Sequence, residues 1–187
     1  MESVVAGLEL FWKVAAMMGI AWWVGLFWRG ATLAGAWAGT LVSFAVLLFT
    51  SEITIFGREL WDFNTSLASH LPAFMLYDGK FYLPWQMIAY LSTGLVTLVV
   101  VSLFTRRTPE DRLDRIFTCL RTPVVPGEEE VKPFTLPAGV EPPARDSLIQ
   151  HPDFEIPRPT VVGVVGFAIA TAMIGLLIGA VFLIMTI

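Results

Sequence analysis

The strongest constraint on this chain is a lone arginine set between two long stretches almost free of charge. Residues 30–51 carry no charged side chain, and residues 3–28 carry only Glu9 and Lys13. A helix needs roughly 20 apolar residues to cross about 30 Å of hydrocarbon, and each stretch is that long. Arg29 is the single charge at the junction and belongs among lipid head groups, which fixes the level of a short hinge at 28–31. Two further uncharged stretches, 83–105 and 161–187, repeat the pattern. The expectation is an all-α integral membrane protein with four transmembrane helices.

Composition agrees where it bears on this. The chain is 56% hydrophobic with a mean hydropathy of +0.70, leaving too little polar sequence to cover a soluble core of this size. A net charge of −4 without a basic stripe argues against nucleic acid as a partner. Cys119 is the one cysteine, so neither an internal disulfide nor a cysteine-cluster metal site is expected. The Met1-Glu2 start has no basic n-region and leads into a long apolar run, unlike a cleaved signal peptide.

Taken in order, residues 1–50 read as two transmembrane helices joined by the hinge. Trp22, Trp23, Phe27 and Trp28 form an aromatic belt at its end of the first helix. Glu9 and Lys13 are four apart on one face and are a candidate intramembrane ion pair. Mutual neutralisation that pins the helix to a neighbour explains them as well as any functional role. In the second helix Ala31, Gly35, Gly39 and Ser43 make a small-residue stripe suited to close backbone approach.

Residues 51–82 mix charged and aromatic side chains and read as an extracytoplasmic interfacial loop of one or two short surface helices. Asn64-Thr65-Ser66 matches a glycosylation acceptor, a short and unspecific pattern. A third transmembrane helix over 83–105 opens with Pro84 and stops at Arg106-Arg107. Residues 106–123 form an amphipathic segment in which Thr108 caps, Pro109 begins the helix, and Arg112, Arg115 and Arg121 face lipid phosphates. Residues 124–159 are a proline-rich linker with the acidic run Glu128-Glu129-Glu130, to which no structure is assigned. The last helix, 160–187, carries Gly175 and Gly179 as a candidate packing motif.

Charge orients the chain. The hinge and residues 106–159 together hold nine Lys and Arg, whereas residues 51–82 hold Arg58 and Lys80. By the positive-inside rule residues 106–159 are cytoplasmic, with both termini and the 51–82 loop outside.

The sequence Gly25-Leu26-Phe27-Trp28-Arg29, followed by Gly35-Ala36-Trp37-Ala38-Gly39, resembles a motif of the sodium:solute symporter family (sodium/glucose cotransporter-like). Val101-Ser102-Leu103-Phe104-Thr105, Leu113-Asp114-Arg115 and Leu120-Arg121-Thr122-Pro123 extend the resemblance over nearly the whole chain. The second basic residue usual after Arg29 is replaced by Gly30.

This resemblance implies the C-terminal part of a leucine-transporter-like inverted-repeat fold. The sodium site and most solute contacts of such folds lie on helices upstream of this sequence, so no sodium ligand transfers to these residues. The implied partners are the lipid bilayer, the missing N-terminal helices or a split-gene partner, and a small-molecule solute bound by the whole transporter. The implied location is the bacterial inner membrane. The expected function is that of a C-terminal fragment of a sodium-coupled symporter, not transport-competent alone. The alternative is a stand-alone accessory or scaffolding subunit derived from one. Catalytic motifs are missing from the sequence, and His70 and His151 each lie alone in a loop, so an enzyme is not expected.

Overall fold

The computed structural model describes residues 2–55, 58–62, 70–78, 80–124, 126–127 and 131–186. Its order is α1 (Glu2–Phe27), α2 (Leu33–Phe49), β1 (Glu52–Ile55), β2 (Arg58–Asp62), a 3-10 turn (Ala73–Met75), β3 (Leu76–Tyr77), β4 (Lys80–Phe81), α3 (Leu83–Phe104), α4 (Glu110–Arg121) and α5 (Val161–Thr186). The chain is mostly helical, as its long apolar runs require. Three helices are long and apolar enough to cross a membrane: Gly7–Phe27, Leu83–Phe104 and Val161–Met185. The chain is thus membrane-associated, with apolar helices fit for contact with a bilayer.

The fourth expected span is shorter. α2 has 17 residues, and at 1.5 Å per residue it reaches about 25 Å. Its N-terminus is set by Thr32, whose side chain accepts a hydrogen bond from the Gly35 N–H at 3.1 Å. Thr50 ends it, its hydroxyl donating back to the Val46 carbonyl.

The core of the fold is the antiparallel pair α2/α3. Buried positions recur every four residues on both helices: Gly35, Gly39, Ser43 and Leu47 on one, Gln86, Tyr90, Gly94, Leu98 and Ser102 on the other. Small residues let the backbones nearly touch. A Cβ on Gly39 would stand 2.8 Å from the Gly94 carbonyl oxygen and 2.9 Å from Leu98 Cβ. The Ser43 hydroxyl donates to the Tyr90 carbonyl at 3.0 Å, and Gln86 Nε2 closes the far end by donating to the Thr50 carbonyl at 2.7 Å. In an apolar surrounding such polar links replace bonds that water cannot supply. The expected stripe on α2 is therefore used, and α3 supplies its partner stripe.

α1 leans on this pair through Met17, which meets Leu47 and Tyr90 in a buried cluster. Tyr90 is wholly buried and its hydroxyl has no hydrogen-bond partner among the described residues. The rest of α1 is open, with Trp12, Trp22 and Trp23 exposed. α5 stands apart, its described side chains all exposed. Open space surrounds Gly175 and Gly179, so among the described residues nothing packs on them.

Two sequence expectations need correction. Residues 51–82 do not form surface helices where they are described: β1 pairs antiparallel with β2, Glu52 opposite Asp62, and β3 pairs with β4, Leu76 opposite Phe81. The run Ile53-Thr54-Ile55 is β-branched or close to it throughout, a preference that favours a pleated strand over a helix. Asn64-Thr65-Ser66 and Glu128-Glu129-Glu130 lie outside the described residues. α4 begins at Glu110 with Pro109 in the cap position and no side-chain capping bond, so Thr108 does not cap it. Proline's fixed φ starts the helix, and Glu110 and Asp111 meet the N-terminal dipole instead.

Candidate functional site at the hinge

α1 ends at Phe27 and α2 starts at Leu33, which leaves Arg29 between two helix ends with a side chain long enough to reach either neighbouring segment. Its guanidinium gathers both. Nη1 donates to Asp114 Oδ1 of α4 at 2.7 Å. Nε and Nη2 both reach Glu155 Oε1, at 2.8 and 2.7 Å. The guanidinium carbon sits 5.0 Å from the centre of the Phe117 ring, a cation–π contact on the buried side of α4.

Burial works to lower the Arg29 pKa, but the hydrogen bonds and charges of Asp114 and Glu155 outweigh it. The guanidinium is held above its ordinary value.

Glu155 belongs to the linker, which docks. Its side chain is only 5% exposed and also faces Arg145 Nε at 3.4 Å and Arg121 Nη1 at 3.8 Å. One buried carboxylate thus serves three guanidiniums. Arg145 Nη2 in turn donates to the carbonyls of His151, Pro152 and Phe154, at 2.8, 2.9 and 2.6 Å, and so folds 145–154 back on itself. The backbone joins in: the Glu155 N–H donates to the Phe27 carbonyl at 2.9 Å, and the Arg29 N–H donates to the Asp153 carbonyl at 2.8 Å. Phe27 would otherwise leave a helix-end carbonyl unpaired. Arg107 adds an ion pair to Asp153 at 3.0 Å.

The structureless reading of 124–159 is therefore corrected for 145–158. Proline content weakens secondary structure, but docking here uses side-chain charge and exposed backbone groups at a helix end. Composition does not report either. A signal was nevertheless present: Phe154 and Ile156 flank Glu155 in residues 150–159, where every other residue is polar, charged or proline.

A hydroxyl cluster ties the hinge to the end of α3. The Thr32 N–H donates to Ser102 Oγ at 3.1 Å, and the Thr32 and Thr105 hydroxyls lie 2.7 Å apart. The hinge, α4 and 145–158 thus share one end of the α2/α3 pair, while β1 and Gln86 mark the other.

The motif residues have distinct places. Phe27 and Trp28 meet the docked linker, Trp28 through a bridge to Phe154. Trp28 also folds its indole over Gly30, where a Cβ would lie 2.6 Å from Trp28 Cζ2. A basic side chain at 30 has no room unless that ring moves. Gly25 has open space around it. Gly35 and Gly39 form the helix contact, and the Ala36 N–H donates to the Thr32 carbonyl in the first turn of α2.

Glu9 and Lys13 lie far from the hinge. They line a cavity of about 230 Å³ with Trp12, Leu83 and Met87, and among the described residues no ion pair joins them. Glu9 faces outward, and seven residues from the start of α1 it sits about 10 Å along the helix, near one end. Of the residues that build the hinge site, Asp114 lies in the Leu113-Asp114-Arg115 motif, whereas Arg145, Asp153 and Glu155 belong to no motif. Among the described residues no three metal-ligating side chains converge.

Chemically, the arrangement is a charge-locked joint that holds the hinge, α4 and the 145–158 segment together. No protein-family model, curated protein or solved structure matches the chain.

Proposed function

We propose that this chain is the C-terminal part of a sodium-coupled secondary active transporter of the sodium:solute symport type, and that it does not transport alone. The observation that carries the reading is how the Gly25–Arg29 and Gly35–Gly39 motif is used. Arg29 is the hub of the hinge, and Gly35 and Gly39 are points of closest helix approach. A motif so employed is a structural joint, suited to hold peripheral helices on a larger bundle. The wide apolar surfaces of α1 and α5 support the same reading, since they offer room for lipid and for further helices. Sodium and solute would then be held by helices upstream of Met1, with the Arg29 end facing the cytoplasm of a bacterial inner membrane.

The test uses the protein in its own cell, with an epitope placed at exposed Gly139 in the chromosomal copy. The tag is expected either in a polypeptide far larger than 20.7 kDa or in a stoichiometric complex with a second, very hydrophobic protein. Recovery of a 20.7 kDa chain associated only with copies of itself overturns the proposal. That result establishes the stand-alone subunit in its place.

A further inference from the structure

Where the last turn of α1, the C-terminal half of α4 and the docked linker meet, they leave a cavity of about 420 Å³. One wall is apolar, made by Leu26, Phe27, Phe117, Leu120 and Ile156. The other carries Arg121, Arg145 and Arg158 against Asp146 and Glu155, one cation in excess. These cations are unequally satisfied. Arg158 pairs with Asp146 at 3.1 Å. Arg145 is occupied by Glu155 and three carbonyls. Arg121 has only a 3.8 Å approach to a carboxylate already held by Arg29, and a 3.4 Å contact to the Thr118 hydroxyl. Its Nε is buried with no hydrogen-bond partner among the described residues. A buried, unpaired N–H on a guanidinium is costly and calls for an acceptor.

We infer that this cavity is a binding site for a phosphate-bearing anion, with the Arg121 guanidinium as its principal donor. Guanidinium matches phosphate oxygens in a forked geometry, and the Arg121 side chain is 26% exposed at the cavity wall, with only long contacts to Glu155 and Thr118. Leu26 and Phe27 in that wall are the last turn of α1, a helix long and apolar enough to cross a membrane, which sets the cavity at head-group level. That placement favours the head group of an anionic phospholipid, its acyl chains lying along the exposed face of α1 below Trp22 and Trp23. Glu155 does not repel the ligand, because its charge is already shared among Arg29, Arg121 and Arg145. The site stands independently of the transport reading.

The experiment is native mass spectrometry of the full chain in mild detergent, titrated with phosphatidylglycerol or phosphatidylcholine, with and without millimolar inorganic phosphate. Phosphatidylglycerol is expected to be retained over phosphatidylcholine, and Arg121→Gln is expected to weaken its retention about ten-fold, as for the loss of a charge-assisted hydrogen bond. Arg115→Gln is the control. Arg115 is an exposed arginine of the same helix, paired with Asp111 and outside the cavity, and its loss should change retention little. Retention that inorganic phosphate does not displace identifies a phospholipid as the source. Displacement by inorganic phosphate, still lost in Arg121→Gln, keeps the phosphate site and assigns it to a soluble phosphate compound. Equal retention of both lipids overturns the inference, as does an equal effect of Arg115→Gln and Arg121→Gln. Hydrogen exchange at residues 153–155 in each variant reports whether the linker remains docked, and Arg121→Lys restores charge without the fork if Arg121→Gln undocks it.

Discussion

Arg29 and Glu155 are 126 residues apart in sequence and joined by two guanidinium nitrogens on one carboxylate oxygen, at 2.8 and 2.7 Å. This pair converts a hinge between two helices into a joint that also fixes α4 and the linker. Its neighbour contact to Asp114 is just as short, yet the two carboxylates differ in exposure, 5% for Glu155 and 62% for Asp114.

That difference sets unequal consequences. Glu155→Ala leaves three arginines around an empty site and is expected to destabilise the docked linker by about 3–5 kcal/mol, as when one partner of a buried pair is removed. Asp114→Ala should cost under about 1 kcal/mol, because water screens an exposed partner. Amide hydrogen exchange at 153–155 and limited proteolysis across 145–158 measure both. Equal protection in the two variants would show that Glu155 does not hold the linker.

The four glycines picked out as packing positions should separate into two classes. Gly39→Ala drives a methyl group against the Gly94 carbonyl and Leu98, and the pair must spread, at about 1–3 kcal/mol. Gly35→Ala meets Ser102 and the Leu98 carbonyl and should behave alike. Gly175→Ala and Gly179→Ala meet open space and should leave the thermal midpoint of the purified chain unchanged or raise it, since alanine favours helix. A drop at Gly179 like that at Gly39 would mean that α5 packs on another surface in solution.

Tyr90→Phe removes a hydroxyl that is buried without a partner and keeps the ring that meets Met17 and Leu47. It is expected to be neutral or to stabilise by up to about 1–2 kcal/mol. Tyr90→Ala opens a cavity in the same cluster and should cost about 3–5 kcal/mol. Thermal unfolding in detergent distinguishes them, and a loss in Tyr90→Phe comparable to that in Tyr90→Ala would reveal a role for the hydroxyl.

Arg29 is a basic group whose pKa is raised on folding by Asp114 and Glu155 in spite of burial. Its contribution is fully present below the unfolded value and is lost only as pH rises through the folded value, which lies higher still. Raising the pH from about 7 to about 10 should therefore leave the Arg29 contribution to docking untouched. Emission assigned to Trp28, which bridges to Phe154, as the part of the spectrum lost in Trp28→Phe, follows the joint among the seven tryptophans. A transition within that range in the wild type that disappears in Arg29→Lys would contradict this assignment.

The sequence alone determined the long helices and the place of the hinge between the first two. Apolar run length, the isolation of Arg29 and the small-residue spacing are local properties, and helices long enough to cross a membrane follow from them with little dependence on the rest of the chain. α2 ended short because of its threonine caps, a detail set within a single turn. Tertiary structure decided what local pattern does not encode. It selected α3 as the partner of the Gly35/Gly39 stripe and left the similar Gly175/Gly179 stripe unpartnered, although both read alike in sequence. It also seated a proline-rich segment, because Glu155 finds Arg29, Arg121 and Arg145 only after α1, α4 and the linker have been brought together. The physical reason is range: hydropathy acts along the chain, whereas an ion pair depends on which distant groups share a few ångströms of space.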